Sequence, residues 1–278
     1  MRLTLLGTGH ATVTECYNSC MVFSHEGQHF LVDTGGGNRI IKALQEAEIP
    51  LQELHDVLLT HEHIEHMLGV FWLIRMIGEL MERGEYQDSL CIYCHSELID
   101  KVCTIAEMTL PGNVTRHIGR EILFVAIESG DQLKLLDSDI TFFDTGSSKA
   151  WQFGYTLVTR DGIKLVCCGD EPYNPSCEQY VRDADWMIHE AMCLHEDMEQ
   201  YRPHDYHHGT VREACETASS LGIDHLILYH MEESDLSGRK ERYIQEGSRY
   251  YSGNLHVPDD LEYYEIARTL RFPGGIGS

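Results

Sequence analysis

The stretch Thr60-His61-Glu62-His63-Ile64-Glu65-His66-Met67-Leu68-Gly69 follows directly on the apolar run Val57-Leu58-Leu59. Three imidazoles and two carboxylates, within six positions of a loop leaving a strand, make a dense set of nitrogen and oxygen donors. Neutral imidazole is the commonest metal ligand in proteins. Zinc and similar divalent ions take such mixed sets, and a catalytic ion keeps a coordination position open. The plainer alternative is a polar surface loop, because 17 histidines in 278 residues will cluster somewhere by chance. Against it, the loop is anchored by a buried-type strand and continues into Met67-Leu68-Gly69-Val70-Phe71-Trp72-Leu73-Ile74, which reads as a largely buried helix. A zincin site needs His-Glu-x-x-His on one helical face. Neither His61-Glu62 nor His189-Glu190 has a second imidazole four positions on.

Further short motifs invite other chemistry. Cys91-Ile92-Tyr93-Cys94-His95 matches the spacing of covalent haem attachment. The run alternates like a strand and no export signal is read, so core thiols are expected, with Cys94 or His95 beside the cleft as the alternative. Gly7-Thr8-Gly9 lacks the third glycine of a dinucleotide fingerprint, and Asp33-Thr34-Gly35-Gly36-Gly37 lacks the lysine of a phosphate-binding loop. Both read as places where backbones pass close together.

Taken in order along the chain, these pieces resemble the metallo-β-lactamase superfamily, and in particular its ribonuclease Z-like branch. Residues 61–66 are similar to the His-x-His-x-Asp-His signature, with Glu65 in the place of Asp. Leu5-Leu6-Gly7-Thr8-Gly9, the Asp33 turn, Cys168-Gly169-Asp170, Ile188-His189-Glu190-Ala191, His208-Gly209-Thr210 and His230 after Leu226-Ile227-Leu228-Tyr229 resemble the branch's later motifs. The resemblance covers about residues 3–265. It implies an α/β fold, a four-layer αββα sandwich of the metallo-β-lactamase type. It also implies a metal-dependent hydrolase with one or two divalent ions, zinc first, manganese or iron as alternatives.

By the same resemblance His61, His63 and the bridging Asp170 form one site, and Glu65, His66, Asp170 and His230 the other. Asp170, His208 and Glu190 are then the catalytic candidates, with His208 giving a proton to the leaving group and Glu190 orienting it. Asp33 is expected to orient a metal-binding histidine, and His10 to contact ligand. The family's third histidine of site one has no counterpart in Phe142-Phe143-Asp144-Thr145-Gly146-Ser147-Ser148-Lys149. Gly146 is taken as the vacated position, with Ser147 beside it as a candidate for substrate contact.

Composition narrows the substrate. A formal charge of −24 opposes nucleic-acid binding, which depends on Lys and Arg neutralising phosphates. Ser237-Gly238-Arg239-Lys240-Glu241-Arg242 is the only short basic stretch and reads as a solvated helix start. The expected substrate is a small ester, a phosphodiester, lactone or similar, rather than nucleic acid. Two alternatives remain: a catalytically degenerate metal-binding or ligand-sensing relative, and a ribonuclease Z-like endonuclease acting on transfer-RNA 3′ ends. A 42% hydrophobic fraction with 24% charged residues suits a soluble globular protein. No apolar run reaches the roughly 18 residues of a membrane span. The first residues enter a strand pattern, leaving no room for a signal peptide. Ten irregularly spaced cysteines then read as reduced thiols in cytoplasm, which argues against β-lactam hydrolysis. A homodimer is expected.

The elements that must position the motifs are strands at 3–6, 19–23, 30–33, 57–60, 90–94, 122–125, 140–143, 156–159, 164–168, 186–189 and 226–229, and helices at 38–47, 70–83, 97–108 and 210–221. One domain over 1–278 is expected, with pseudo-twofold halves of about 1–145 and 146–270 and a frayed tail at 271–278.

Overall fold

The computed structural model describes residues 1–268, so the expected frayed tail at 271–278 lies outside the described residues. Period-two alternation builds the strands. In β2 (Cys20–His25), Met21 and Phe23 face one core while Cys20 and Val22 face another. The first half of the chain adds β1 (Arg2–Gly7), β3 (Gln28–Val32), β4 (Leu54–Leu58), β5 (Leu90–Cys94) and β6 (Ile122–Ala126). The second contributes β7 (Gln132–Leu135), β8 (Ser138–Asp144), β9 (Phe153–Thr159), β10 (Lys164–Cys167), β11 (Trp186–Glu190), β12 (His225–Tyr229), β13 (Asn254–His256) and β14 (Tyr263–Glu265).

Each sheet has seven strands, ordered β14-β1-β2-β3-β4-β5-β6 and β13-β12-β11-β10-β9-β8-β7. The strands β1 to β3 pair antiparallel and β3 to β6 parallel; β8 to β10 pair antiparallel and β10 to β13 parallel. The chain changes sheets between β6 and β7, ahead of the boundary expected near 145, and returns to the first sheet with β14. The likeness of the two halves lies in this strand order.

The helices are α1 (Arg39–Glu46), α2 (Ile64–Met67), α3 (Gly69–Glu82), α4 (Ser96–Thr109), α5 (Gly112–Thr115), α6 (Glu178–Val181), α7 (Met198–Tyr201), α8 (Val211–Leu221) and α9 (Leu236–Gly247). Along α3 the buried residues Val70, Leu73, Ile74 and Ile77 recur at three- and four-residue steps, giving one apolar stripe. It packs with Ile40, Leu98 and Val102 against the outer face of the first sheet. The outer face of the second sheet, with Val166, Met187 and Leu228, is covered by Val211, Ala214, Ala218 and Tyr243 from α8 and α9. Between the sheets lie Leu5, Phe30, Phe142, Tyr155, Leu165, Ile188 and Ile227. Helix, sheet, sheet, helix is the expected αββα sandwich. Cys167 faces the inner core and Cys168 the outer one, as neighbours on a strand must. All ten cysteines are free thiols.

One expectation is overturned. The basic stretch 237–242 belongs to α9, and Arg239 is not solvated but 2% exposed. Its guanidinium donates to Thr8 Oγ1 at 3.0 Å, to Glu232 O at 3.3 Å and to Pro258 O at 3.3 Å, tying α9 to the turn after β1. Replacing Arg239 with Met strands these buried acceptors and should lower unfolding free energy by about 3 kcal/mol, read by urea denaturation. A change within about 0.5 kcal/mol would mean that the buried guanidinium does not hold this junction.

Candidate metal centre

β4 lies parallel between β3 and β5, so its C-terminal end delivers residues 59–66 to one edge of the sandwich. The turn is fixed from below by Asp33, whose backbone is left-handed at φ 56°. Asp33 Oδ1 accepts from Thr60 N at 2.8 Å, and Oδ2 accepts from Thr60 Oγ1 at 2.8 Å and from His66 Nδ1 at 2.7 Å. His61 Nδ1 lies 2.9 Å from Thr60 Oγ1. With their Nδ1 atoms so engaged, His61 and His66 both aim Nε2 inward, the arrangement by which an anchored imidazole is kept ready for a cation. The second sheet supplies the rest from the ends of β10 and β12. After β10 the chain turns at Gly169, φ 82°, and presents Asp170; after β12 it presents His230, itself left-handed at φ 58°.

These ends meet at one oxygen. Asp170 Oδ2 lies 3.5 Å from His61 Nε2, 3.8 Å from His63 Nδ1, 3.7 Å from His66 Nε2 and 3.8 Å from His230 Nε2. Glu65, 8% exposed despite its charge, puts Oε1 3.8 Å from His63 Nδ1. Two donor sets result: Glu65, His66, Asp170 and His230, and His61, His63 and Asp170, each within 4.8 Å. The extra methylene of Glu65 is thus accommodated.

Whether these residues fit a metal is decided by their unmet valences. His61 Nε2, His66 Nε2, His230 Nε2 and Asp170 Oδ2 are all buried and have no hydrogen-bond partner. Buried polar atoms are nearly always paired, and a convergence of lone pairs is satisfied by a cation. The donor set of imidazole and carboxylate suits zinc, manganese or iron.

Electrostatics agree. Burial, with His208 next, depresses the pKa of His230 well below its ordinary value. Burial also lowers that of His61, against the pull of Asp170. At His66 burial works the same way, but Asp33, Asp170 and Glu65 outweigh it and push the imidazole up to about 9. Asp170 is opposed by burial, yet the surrounding imidazoles, His61 foremost, hold it well below the usual carboxylate range.

The expected catalytic candidates stand beside this cluster. His208, 9% exposed, stacks on His230 with ring centroids 4.8 Å apart, and its Nδ1 is 3.5 Å from Glu190 Oε2. Glu190 is fully buried and accepts from Gly209 N at 2.7 Å. His208, His10, His63 and Glu65 line a cleft of about 490 Å³. His189 turns away, bonding Glu190 O and Tyr173 N. His95 caps α4 by accepting from Leu98 N, and its ring packs on Trp151, outside both donor sets.

Gly146 is a correction. A side chain built there, at φ 70°, meets Asn174 Nδ2 at 3.0 Å and Ser176 Oγ at 3.4 Å, not the ligand cluster. Ser147 Oγ is committed to Glu171 Oε1 at 2.7 Å and to the turn amides of Lys149 and Ala150. Two residues that the sequence reading missed take part instead. Gln152, 1% exposed, donates to Asp170 Oδ1 and lies 3.2 Å from His61 Nδ1, holding the carboxylate so that Oδ2 faces inward. Lys149 places Nζ 3.6 Å from Asp170 Oδ2. Neither has a motif of its own.

Comparison with known proteins agrees with this geometry. A family model described as Anti-Pycsar protein Apyc1 matches residues 1–241. Ribonuclease Z of Bradyrhizobium diazoefficiens is 25% identical over 310 residues, spanning 95% of this chain and 99% of that protein. The fold is similar to that of the metallo-β-lactamase fold protein YhfI from Bacillus subtilis, with a TM-score of 0.75 and 19% identity, covering 95% of this chain and 98% of the other. It is also similar to human tRNase Z, short form, with a TM-score of 0.73 and 19% identity, covering 96% and 100%. The αββα sandwich is therefore the metallo-β-lactamase fold.

Coordination requires His66 Nε2 to lose its proton, so metal uptake at neutral pH should release about one proton. Apparent affinity should then rise about tenfold per pH unit between 7 and 9 and level off above. Calorimetric titration of zinc or manganese in buffers of different ionisation enthalpy measures this. A pH-independent affinity would exclude His66 as a ligand with that protonation.

Proposed function

The chain belongs to the Anti-Pycsar protein Apyc1 family, in the ribonuclease Z-like part of the metallo-β-lactamase superfamily, and we propose that it is a metal-dependent hydrolase of small phosphodiesters. The observation that carries this reading is the orphaned Asp170 Oδ2, ringed by imidazole nitrogens, in a cluster whose His63 and Glu65 line a cleft together with His208. Among small esters the phosphodiester is favoured because two of the relatives matched, ribonuclease Z and tRNase Z, are by name nucleases.

A divalent ion bound by these donors, zinc in the first place, supplies acidification of an attacking water and polarisation of the ester oxygen. The chain's own residues supply orientation and the proton. Asp33 and Thr60 fix the imidazole tautomers of His66 and His61, and Gln152 fixes Asp170. His208, steadied by Glu190, stands at the cleft wall to protonate the leaving oxygen. The −24 formal charge and a cleft in which Lys149 is the only lysine or arginine among the described residues favour a small substrate over a polynucleotide. No helix among the described residues is long and apolar enough to cross a membrane. A homodimer is retained in this reading, with the exposed apolar residues Ile64, Trp72 and Met108 as a contact surface.

Transfer-RNA 3′ processing is the second reading, kept because of the ribonuclease Z and tRNase Z likenesses. The metal-loaded protein should be assayed against bis(p-nitrophenyl) phosphate, small linear and cyclic nucleotide phosphodiesters, a lactone and a 3′-extended transfer RNA. Turnover of the small phosphodiesters is expected, with little action on the RNA. His208→Ala should lower kcat by about 10²–10³ while metal content is unchanged. Preferential cleavage of the RNA would move the assignment to the second reading, and silence on every substrate would favour a ligand-sensing relative.

A further inference from the structure

The two donor sets around Asp170 are unequal. Glu65, His66, Asp170 and His230 give a full four, whereas His61, His63 and Asp170 give three. Lys149 approaches the same carboxylate oxygen, its Nζ 3.6 Å from Asp170 Oδ2 and 3.8 Å from Glu171 Oε1, with the side chain only 14% exposed. Its turn is built to keep it there. Ser147 Oγ accepts from Lys149 N at 3.1 Å and Ala150 N at 3.4 Å, and donates to Glu171 Oε1 at 2.7 Å. Three residues on, Gln152 touches both His61 and Asp170, so the segment 147–152 forms one wall of the three-donor set.

We propose that Lys149 is a built-in cation that takes the place of a second metal ion, so that this chain holds one ion, in the four-donor set, with an ammonium beside it. The inference rests on the reading of the cluster as a metal centre. An ion in the three-donor set would sit about 2.0–2.2 Å from the shared carboxylate oxygen. An ammonium 3.6 Å from that same oxygen competes for its lone pairs and repels a divalent neighbour. A chain that had merely lost one imidazole would leave the second site weakened but open. A lysine in that wall closes it, and supplies one positive charge where an ion would supply two.

Native mass spectrometry of the full chain, titrated with zinc alone, counts the ions. The wild-type protein and Lys149→Arg should saturate at one ion per chain. Lys149→Met and Lys149→Gln should each saturate at two, and adding His61→Ala to Lys149→Met should return the count to one. Two ions on the wild-type chain, or a count that stays at one in both neutral variants, would overturn the proposal while leaving the metal centre standing. No ion on the wild-type chain at any excess of zinc would instead remove the metal reading on which the proposal rests.

Discussion

Asp170 Oδ2 is 3.5–3.8 Å from four imidazole nitrogens and receives no hydrogen bond, in a place that water scarcely reaches. A carboxylate left so in a protein interior costs several kcal/mol unless a positive charge compensates it. Lys149 Nζ at 3.6 Å and the raised His66 imidazole at 3.7 Å supply part of that charge, and much of the surrounding structure holds the carboxylate in place. Gln152 saturates the other oxygen, which stops the carboxylate from rotating to share the load. Gly169 allows the chain to turn beneath it, since a Cβ there would lie 2.6 Å from Gln152 Oε1. Asp33 and His230 both adopt left-handed backbone, at about 1–3 kcal/mol each, the first to anchor Thr60 and His66 and the second to aim its imidazole at that oxygen. Such strain persists only where the neighbouring packing over-determines it.

That packing is the sandwich itself. Asp33, His61 and His95 follow β3, β4 and β5, and Asp170, Glu190 and His230 end or follow β10, β11 and β12, the equivalent parallel strands of the other sheet. Because the sheets pack face to face through Leu5, Phe30, Phe142, Tyr155 and Ile188, these two rows of strand ends share an edge. The halves have diverged in what they deliver. The first gives imidazoles and their anchor; the second gives the shared carboxylate, the Glu190–His208 pair and one imidazole. Loops alone would not hold six side chains to the accuracy a metal demands, and rigid parallel strands do.

How much of this is legible in the sequence depends on whether a role is local. Residues 61–66 can be read because their donors are contiguous and the strand and helix around them have clear periodicity. Asp170, Glu190, His208 and His230 are each too sparse to read alone and became visible only as an ordered series. Gln152 and Lys149 could not be found that way, because a polar residue next to an aromatic strand reads as an edge until tertiary contact is known. Gly146 was taken as the vacated position by resemblance alone, whereas a Cβ on its left-handed backbone lies against Asn174 and Ser176. Arg239 looked solvated because charge patterning cannot reveal that β1 and the Pro258 loop close over it. The strands β7, β13 and β14 are short and lack an apolar run, so nothing in their composition announces them.

The negative formal charge of the chain and the imidazole-rich centre follow from different needs. A formal charge of −24 produces a long-range field that repels polyanions, and at physiological salt this is screened beyond about 8 Å. The cleft itself is lined by His10, His63, His207, His208 and Lys149 together with Glu65 and Asp205. Size then discriminates more than charge does. On the proposed reading, a polynucleotide would have to bring many phosphates against a chain of strongly negative formal charge, whereas a compact phosphodiester would bring one. The same charge distribution that disfavours a long ligand therefore costs a short one little.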